Sequence, residues 1–167
     1  MKKFGLLLCT MFAGILTMYG QGAKNIKINE VLTNNTANLQ DEFGNRRAWI
    51  ELANTSFSTY DVRGMYITTD RRVLNKGLSV PQRIKMMSCI PNGDNRTSMS
   101  AREHLLFFFN SNPSHGTLHL SAQISKDKPT WIALYDGNAV DIIDSVTVPP
   151  LAANQSYARI KDGADQW

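Results

Sequence analysis

The sequence predicts an all-β domain, an antiparallel sandwich or barrel of about seven to nine short strands. Three observations carry this. Apolar residues recur with a period of two, and no segment of useful length shows the 3.6-residue period of a helix. Turn signals rich in Gly, Pro, Asn and Asp break the chain at intervals of about 8–12 residues. The 167 residues are 43% hydrophobic and 19% charged, the composition of a globular domain, which excludes a collagen-like, coiled-coil or wholly disordered chain. A chain of this length buries enough surface for one core without metal or disulfide staples, and it is too short for a large multidomain enzyme.

Residues 1–22 are expected to be an export signal. Lys2 and Lys3 precede an apolar run from Phe4 to Tyr19, and Gly20-Gln21-Gly22-Ala23 supplies the small residues that a signal peptidase needs. Cleavage near Gly20–Gly22 leaves a domain over 23–167 in the periplasm or outside the cell. The run falls short of the roughly 20 apolar residues that span a bilayer. Cys9 follows the bulky Leu8, so it reads as a bystander and not as a lipid attachment point. Losing Lys2 and Lys3 leaves 16 basic against 14 acidic residues, too little excess to steer a polyanion, and nucleic acid is not an expected partner. Cys89 remains as a lone cysteine, and its neighbours Ile84, Met86 and Ile90 predict burial within a strand.

The strands are justified in order. Residues 26–32 set Ile26, Ile28 and Glu30 against Lys27, Asn29 and Val31, and residues 48–53 set Ile50 and Leu52 against Trp49 and Glu51. The Asn-rich segment 33–47 between them ends in Asp41-Glu42-Phe43-Gly44-Asn45 and reads as a surface loop. Further strands are expected at 62–68, 84–90, 103–109, 117–120, 131–135, 139–148 and 156–160. Leu105–Phe109 is continuously apolar, which predicts a central strand covered on both faces. Asp136-Gly137-Asn138 predicts a hairpin, and residues 70–78 are the one place for a helical turn.

Ile26-Lys27-Ile28-Asn29-Glu30-Val31, then Trp49-Ile50-Glu51-Leu52-Ala53-Asn54, then Val62-Arg63-Gly64-Met65-Tyr66-Ile67-Thr68-Thr69-Asp70 resemble the lamin tail domain family. Trp131-Ile132-Ala133-Leu134-Tyr135-Asp136-Gly137 with Val140-Asp141-Ile142-Ile143-Asp144, and Ser156-Tyr157-Ala158-Arg159 with Asp162-Gly163 and Trp167, are similar to its closing hairpin and final motif. The resemblance implies an immunoglobulin-like antiparallel β-sandwich over 23–167, of the exported bacterial branch. Members commonly continue beyond the closing Trp with a Pro-Gly segment, so stopping at Trp167 implies a truncated C-terminus. The chain also resembles the exported part of proteins whose lamin tail precedes a membrane segment like that of the gamma subunit of sodium-pumping, biotin-dependent decarboxylases. That alternative implies sodium transport with membrane decarboxylase subunits as partners. It requires a membrane anchor encoded downstream.

The motif residues have physical roles without catalysis. Trp49 is expected to anchor the packing between sheets, its indole nitrogen needing a partner. Glu30 and Glu51 lie in apolar strands, where a carboxylate must accept hydrogen bonds or meet a cation, and Arg159 is a candidate partner. Asn29, Asn54 and Asp136 complete the motif as polar positions, and Tyr157 is expected to pack its ring inward and pin the last strand through its hydroxyl. Gly64 and Gly137 read as turn or bulge positions that need a missing Cβ.

No catalytic grouping stands out. His115 and His119 are four apart, but Gly116-Thr117-Leu118 between them breaks toward a strand, so they read as surface or edge histidines and not as metal ligands. The segment from Asp136 lacks the Gly of a calcium loop, and no phosphate-binding glycine loop, nucleophile elbow or Cys-x-x-Cys is present. No cofactor is expected. Arg46, Arg47, Arg71 and Arg72 fall in loops that follow strands and are candidates for an interaction surface, with Asp41, Glu42 and Asp70 as local counter-charges. Asn34, Asn54, Asn95 and Asn154 each open an Asn-x-Ser/Thr triplet, which predicts exposed loops. The expected function is a non-catalytic, exported module for docking or assembly with a protein partner at the bacterial cell envelope.

Overall fold

The structure, a computed structural model, describes residues 22–167. The expected export signal and Cys9 therefore lie outside the described residues, Gly22 excepted. The chain forms an all-β domain. Its strands are β1 (Ile26–Leu32), β2 (Trp49–Asn54), β3 (Tyr60–Asp61), β4 (Tyr66–Thr68), β5 (Ser88–Cys89), β6 (Ser98–Met99), β7 (His104–Phe109), β8 (His119–Leu120), β9 (Thr130–Tyr135), β10 (Ile142–Val148) and β11 (Tyr157–Ala158). They make a five-stranded sheet in the order β11-β1-β2-β7-β8, a four-stranded sheet in the order β10-β9-β4-β5, and the pair β3-β6.

The sheets are not wholly antiparallel as expected, because β7 and β8 pair in parallel, Phe108 opposite His119 and Phe109 opposite Leu120. Residues 110–118, with a 3-10 turn at Pro113–His115, carry the chain back to run beside β7 in the same direction. Inward residues of both large sheets share one hydrophobic cluster. Ile26, Ile28, Ile50, Leu52 and Phe107 meet Ile67, Ile132, Leu134, Val146 and Val148 there. Burying such side chains contributes roughly 1.5–3 kcal/mol each.

The alternation expected in β1 changes phase midway. Its register shifts between Ile28 and Glu30, a β-bulge at Asn29, so Val31 joins Ile26 and Ile28 in the core and Glu30 does not. A bulge adds one residue to one strand and reverses which face the following side chains take. Leu32 consequently faces outward, in register with Trp49, which is in register with Phe108. Leu32, Trp49 and Phe108 form a second cluster with Leu106. Trp49 is thus not an anchor between the sheets, since Ile50 and Leu52 on the other face take that place. Its indole nitrogen is buried and has no hydrogen-bond partner among the described residues. β7 lies inside its sheet, with Phe107 and Phe109 in the main core and Leu106 and Phe108 in the outer cluster.

Two more expectations are corrected around β5. The strand expected over 84–90 is a short helix at Val80–Ile84 followed by the two-residue β5. Ser79 opens the helix, its backbone N–H and hydroxyl both donating to the Gln82 side chain at 2.8 Å. Cys89 is exposed and not buried, because it alternates with the buried Ser88 and Ile90 and points outward. The outer face of β4 and β9 is covered instead by this region: Val73, Met86 and Met87 pack on Tyr66, Trp131, Ala133 and Tyr135. The helical turn expected within 70–78 is a 3-10 turn at Arg71–Leu74, capped by the Asp70 carboxylate accepting from Arg72 N–H.

Candidate functional site

Most motif residues turn inward and hold the fold. Arg159 does not pair with Glu30 or Glu51. Its guanidinium donates to the Asp144 carboxylate at 2.7 Å, to Ile28 O at 2.7 Å and to Ala164 O, with Trp167 stacked beneath it at 4.6 Å. The same Asp144 oxygen accepts Ile28 N–H at 2.8 Å, so one carboxylate of β10 binds both β1 and the C-terminal segment. The bulge makes this arrangement: β10 also shifts register between Ile142 and Asp144, and both irregular points fall where β1 and β10 approach.

Asn29, the bulged residue, donates to Glu51 at 3.0 Å and to Asp162 at 3.1 Å and accepts from Gly163 N–H at 3.2 Å. Glu51 is therefore satisfied by an amide, with His104 further off at 4.0 Å. Glu30 sits half-buried between Glu51 and Ala158 in register. Tyr157 is held by its ring, stacked on Trp167 at 5.1 Å, and its hydroxyl makes no hydrogen bond among the described residues. Asn54 is only 1% exposed, contrary to the loop exposure expected from its triplet. Its amide donates to the carbonyls of Ser58, Met99 and Ser100 and its oxygen accepts from Ser56, tying two loops together.

The hairpin between β9 and β10 closes through Asp136 N–H on Asp141 O, at 2.9 Å. Gly137 in it does not need a missing Cβ: the left-handed residue is Ala139, with φ 56°, and a Cβ at Gly137 meets Gly64 O at an ordinary 3.4 Å. Gly64, with φ 77°, does occupy the region that favours glycine.

The four candidate arginines fall into different states. Arg47 is paired with the buried Asp41 at 3.0 Å. Burial acts to raise the Asp41 carboxyl, but hydrogen bonds from Asn45 N–H, Arg47 and Phe43 N–H outweigh it and hold the group below its ordinary value. Arg46 is exposed and donates to Asn38 O. Arg72 is held by Asp70 through three contacts of 2.5, 2.9 and 3.0 Å, and the guanidinium keeps that carboxyl low. Arg71 differs. Its guanidinium lies over the Trp131 ring at 5.6 Å and makes no ion pair among the described residues.

Arg71 also lines a groove of about 620 Å³ whose walls are Thr69 and Arg71 on one side and residues 123–131 on the other. The second wall carries Lys126, Asp127 and Lys128, all exposed. It is set in place by short hydrogen bonds: Ser125 Oγ accepts from Asp127 N–H at 3.2 Å and Lys128 N–H at 3.1 Å, and Thr69 Oγ1 donates to Gln123 O at 2.8 Å. The sequence reading missed Lys126 and Lys128 because nothing local distinguishes them from solvated loop charge. Only the fold brings them beside Arg71.

Of His115 and His119, His119 lies on the edge strand β8 but is buried, 4% exposed. Its Nε2 meets Glu42 at 3.0 Å, its Nδ1 meets the Asn110 amide nitrogen at 2.6 Å, and that amide also reaches His115 Nδ1 at 3.1 Å. Because Asn110 Oδ1 accepts from Asn112 N–H, its amide nitrogen faces both rings, and His119 donates from Nε2 to Glu42. Phe43 packs on both rings, at 4.6 and 5.8 Å. This grouping fastens the 33–48 loop over the outer cluster of the five-stranded sheet.

Among the described residues no group of three or more His, Cys, Asp or Glu is arranged to hold a metal ion, and no helix is long and apolar enough to cross a membrane. No protein-family model and no curated protein matches this chain.

Proposed function

We propose that this chain is an exported, immunoglobulin-like β-sandwich of the lamin tail kind, acting without catalysis as a docking or assembly module at the bacterial cell envelope. The observation that carries this reading is the fate of the motif's polar residues. Asn29, Glu51, Asn54 and Arg159 spend their hydrogen-bonding capacity inside the fold, on bulges, loops and the C-terminal segment. A motif used this way maintains a shape and leaves recognition to the loops around it. The shared core of the two large sheets supports the sandwich reading, and the apolar run after Lys2 and Lys3 supports export.

The test has two parts, both in the native host. Fractionation followed by N-terminal sequencing is expected to find a protein beginning near residues 21–23 outside the cytoplasm. Lysine-reactive crosslinking in intact cells is expected to trap a discrete protein partner. Recovery from the cytoplasm with the N-terminal segment intact, or no crosslinked species, rejects the reading.

A further inference from the structure

We propose that the groove between residues 69–71 and 123–131 is a docking site for an extended acidic peptide segment of a partner protein; this deepens the docking reading above and rests on it. The first argument is charge. Arg47, Arg63, Arg72, Arg96 and Arg159 each have a carboxylate within hydrogen-bonding reach, so their charge is met inside the molecule. Of the cations without an ion pair among the described residues, Arg71, Lys126 and Lys128 converge on one depression. Three cations against the single Asp127 leave the groove positive on a domain that is otherwise close to balanced, and this complements a chain of carboxylates.

The second argument is preorganisation. The Ser125 hydroxyl caps the turn that carries Lys126 and Lys128, and the Thr69 hydroxyl fastens the start of that wall to the opposite one. A partner meeting a turn whose backbone is already fixed loses less freedom on binding than one that must order a floppy loop.

The third argument selects the occupant. The Trp131 ring has Arg71 over it and is only 9% exposed, so it offers no free aromatic platform on which a base or a sugar ring stacks. The basic groups ring an open depression of about 620 Å³ that admits an extended chain with side-chain carboxylates, and three cations fall short of the roughly four to eight clustered Lys and Arg that mark a surface for anionic lipid. Gln123 adds a side-chain amide to the same wall, fit for the backbone of such a chain.

The experiment measures fluorescence anisotropy of a labelled Glu-rich octapeptide titrated with the purified protein at low and at physiological salt. Binding is expected, weakening as salt rises. The pair K126E/K128E is expected to weaken it by about tenfold or more, since each reversal replaces an exposed attraction by a repulsion. R71Q is expected to act in the same direction, and the lysine pair keeps the test decisive if loss of the Trp131 contact disturbs folding. The pair K24E/K161E changes net charge equally away from the groove and is expected to leave binding within about twofold. Equal weakening by both pairs, or no binding of the octapeptide, overturns the proposal. So does preferential binding of an oligogalacturonate or of phosphatidylglycerol vesicles in the same assay. A crosslinked partner in the host that maps away from Lys126 leaves the docking module standing and removes the groove from it.

Discussion

Asp144 shows how much a single side chain carries here. Its carboxylate accepts from both Arg159 and Ile28 N–H, and the Arg159 side chain is only 4% exposed. Asp144→Ala therefore strands a buried cation and a backbone donor together. Breaking a buried pair from one side costs about 3–5 kcal/mol, whereas replacing both partners by apolar groups of similar volume is often near neutral. Urea unfolding is expected to show a loss of about that size for Asp144→Ala and recovery of part of it in Asp144→Leu with Arg159→Met, which removes the stranded charge but leaves Ile28 N–H without its acceptor. Equal stability of the single variant and the wild type refutes the role assigned to this carboxylate. Asp41 gives the pH dependence. Its folded carboxyl lies below the ordinary value, so its contribution is fully present above about pH 4 and is lost as pH falls through the lower, folded value. Thermal melts between pH 5 and 2 are expected to fall less steeply for Asp41→Asn than for the wild type. The 33–48 loop, fastened by Asp41 to Arg47 and by Glu42 to His119, is expected to loosen first in hydrogen exchange.

At the scale of elements, the C-terminal segment after β11 is held by a fit that only glycine allows. Gly163 has φ 71°, and a Cβ there would stand 2.2 Å from Thr55 Cγ2, while its N–H donates to Asn29 Oδ1. Gly163→Ala combines a strained backbone with a clash, and a loss of about 2 kcal/mol or more is expected in chemical denaturation, above the roughly 1 kcal/mol of strain alone. A shift below 1 kcal/mol places this segment off the sheet. The long elements were legible in sequence because burial on one face leaves a period of two, as in β1 and β2, and burial on both leaves a continuous apolar run, as in β7; with β9 and β10 they fall within a few residues of expectation. The bulge at Asn29 was not legible, since a one-residue insertion leaves no local signature and shows only when a partner strand fixes the register. β3 and β6 pair over two residues each and carry too few positions to show any period. The helix at Val80–Ile84 had a signal, the Ser79-Val80-Pro81-Gln82 capping pattern, masked by the apolar residues after it. Of the candidate site, Arg71 was readable as an exposed loop cation, whereas its separation from Arg72 depends on which of them reaches Asp70.

For the molecule as a whole, the question is whether the two large sheets stand or fall together. One hydrophobic cluster takes residues from both, so neither sheet keeps a core of its own once the other leaves. Asp144 adds a polar tie from β10 to β1, and the His119–Glu42 contact closes the outer face of the five-stranded sheet. The smaller outer clusters, Leu32–Trp49–Phe108 on one sheet and Val73–Trp131–Tyr135 on the other, are too small to hold a sheet without that shared interior. Thermal unfolding is therefore expected to be a single cooperative transition, with far-UV circular dichroism and tryptophan fluorescence reporting the same midpoint. Trp49 and Trp131 belong to different sheets, so with Trp167 also replaced by Phe, fluorescence of the Trp131→Phe and Trp49→Phe variants reads the two sheets separately. Midpoints that coincide within each variant confirm one unit. A fluorescence transition from either sheet that precedes the circular dichroism change by several degrees divides the molecule into two, and the shared core then ceases to explain its stability.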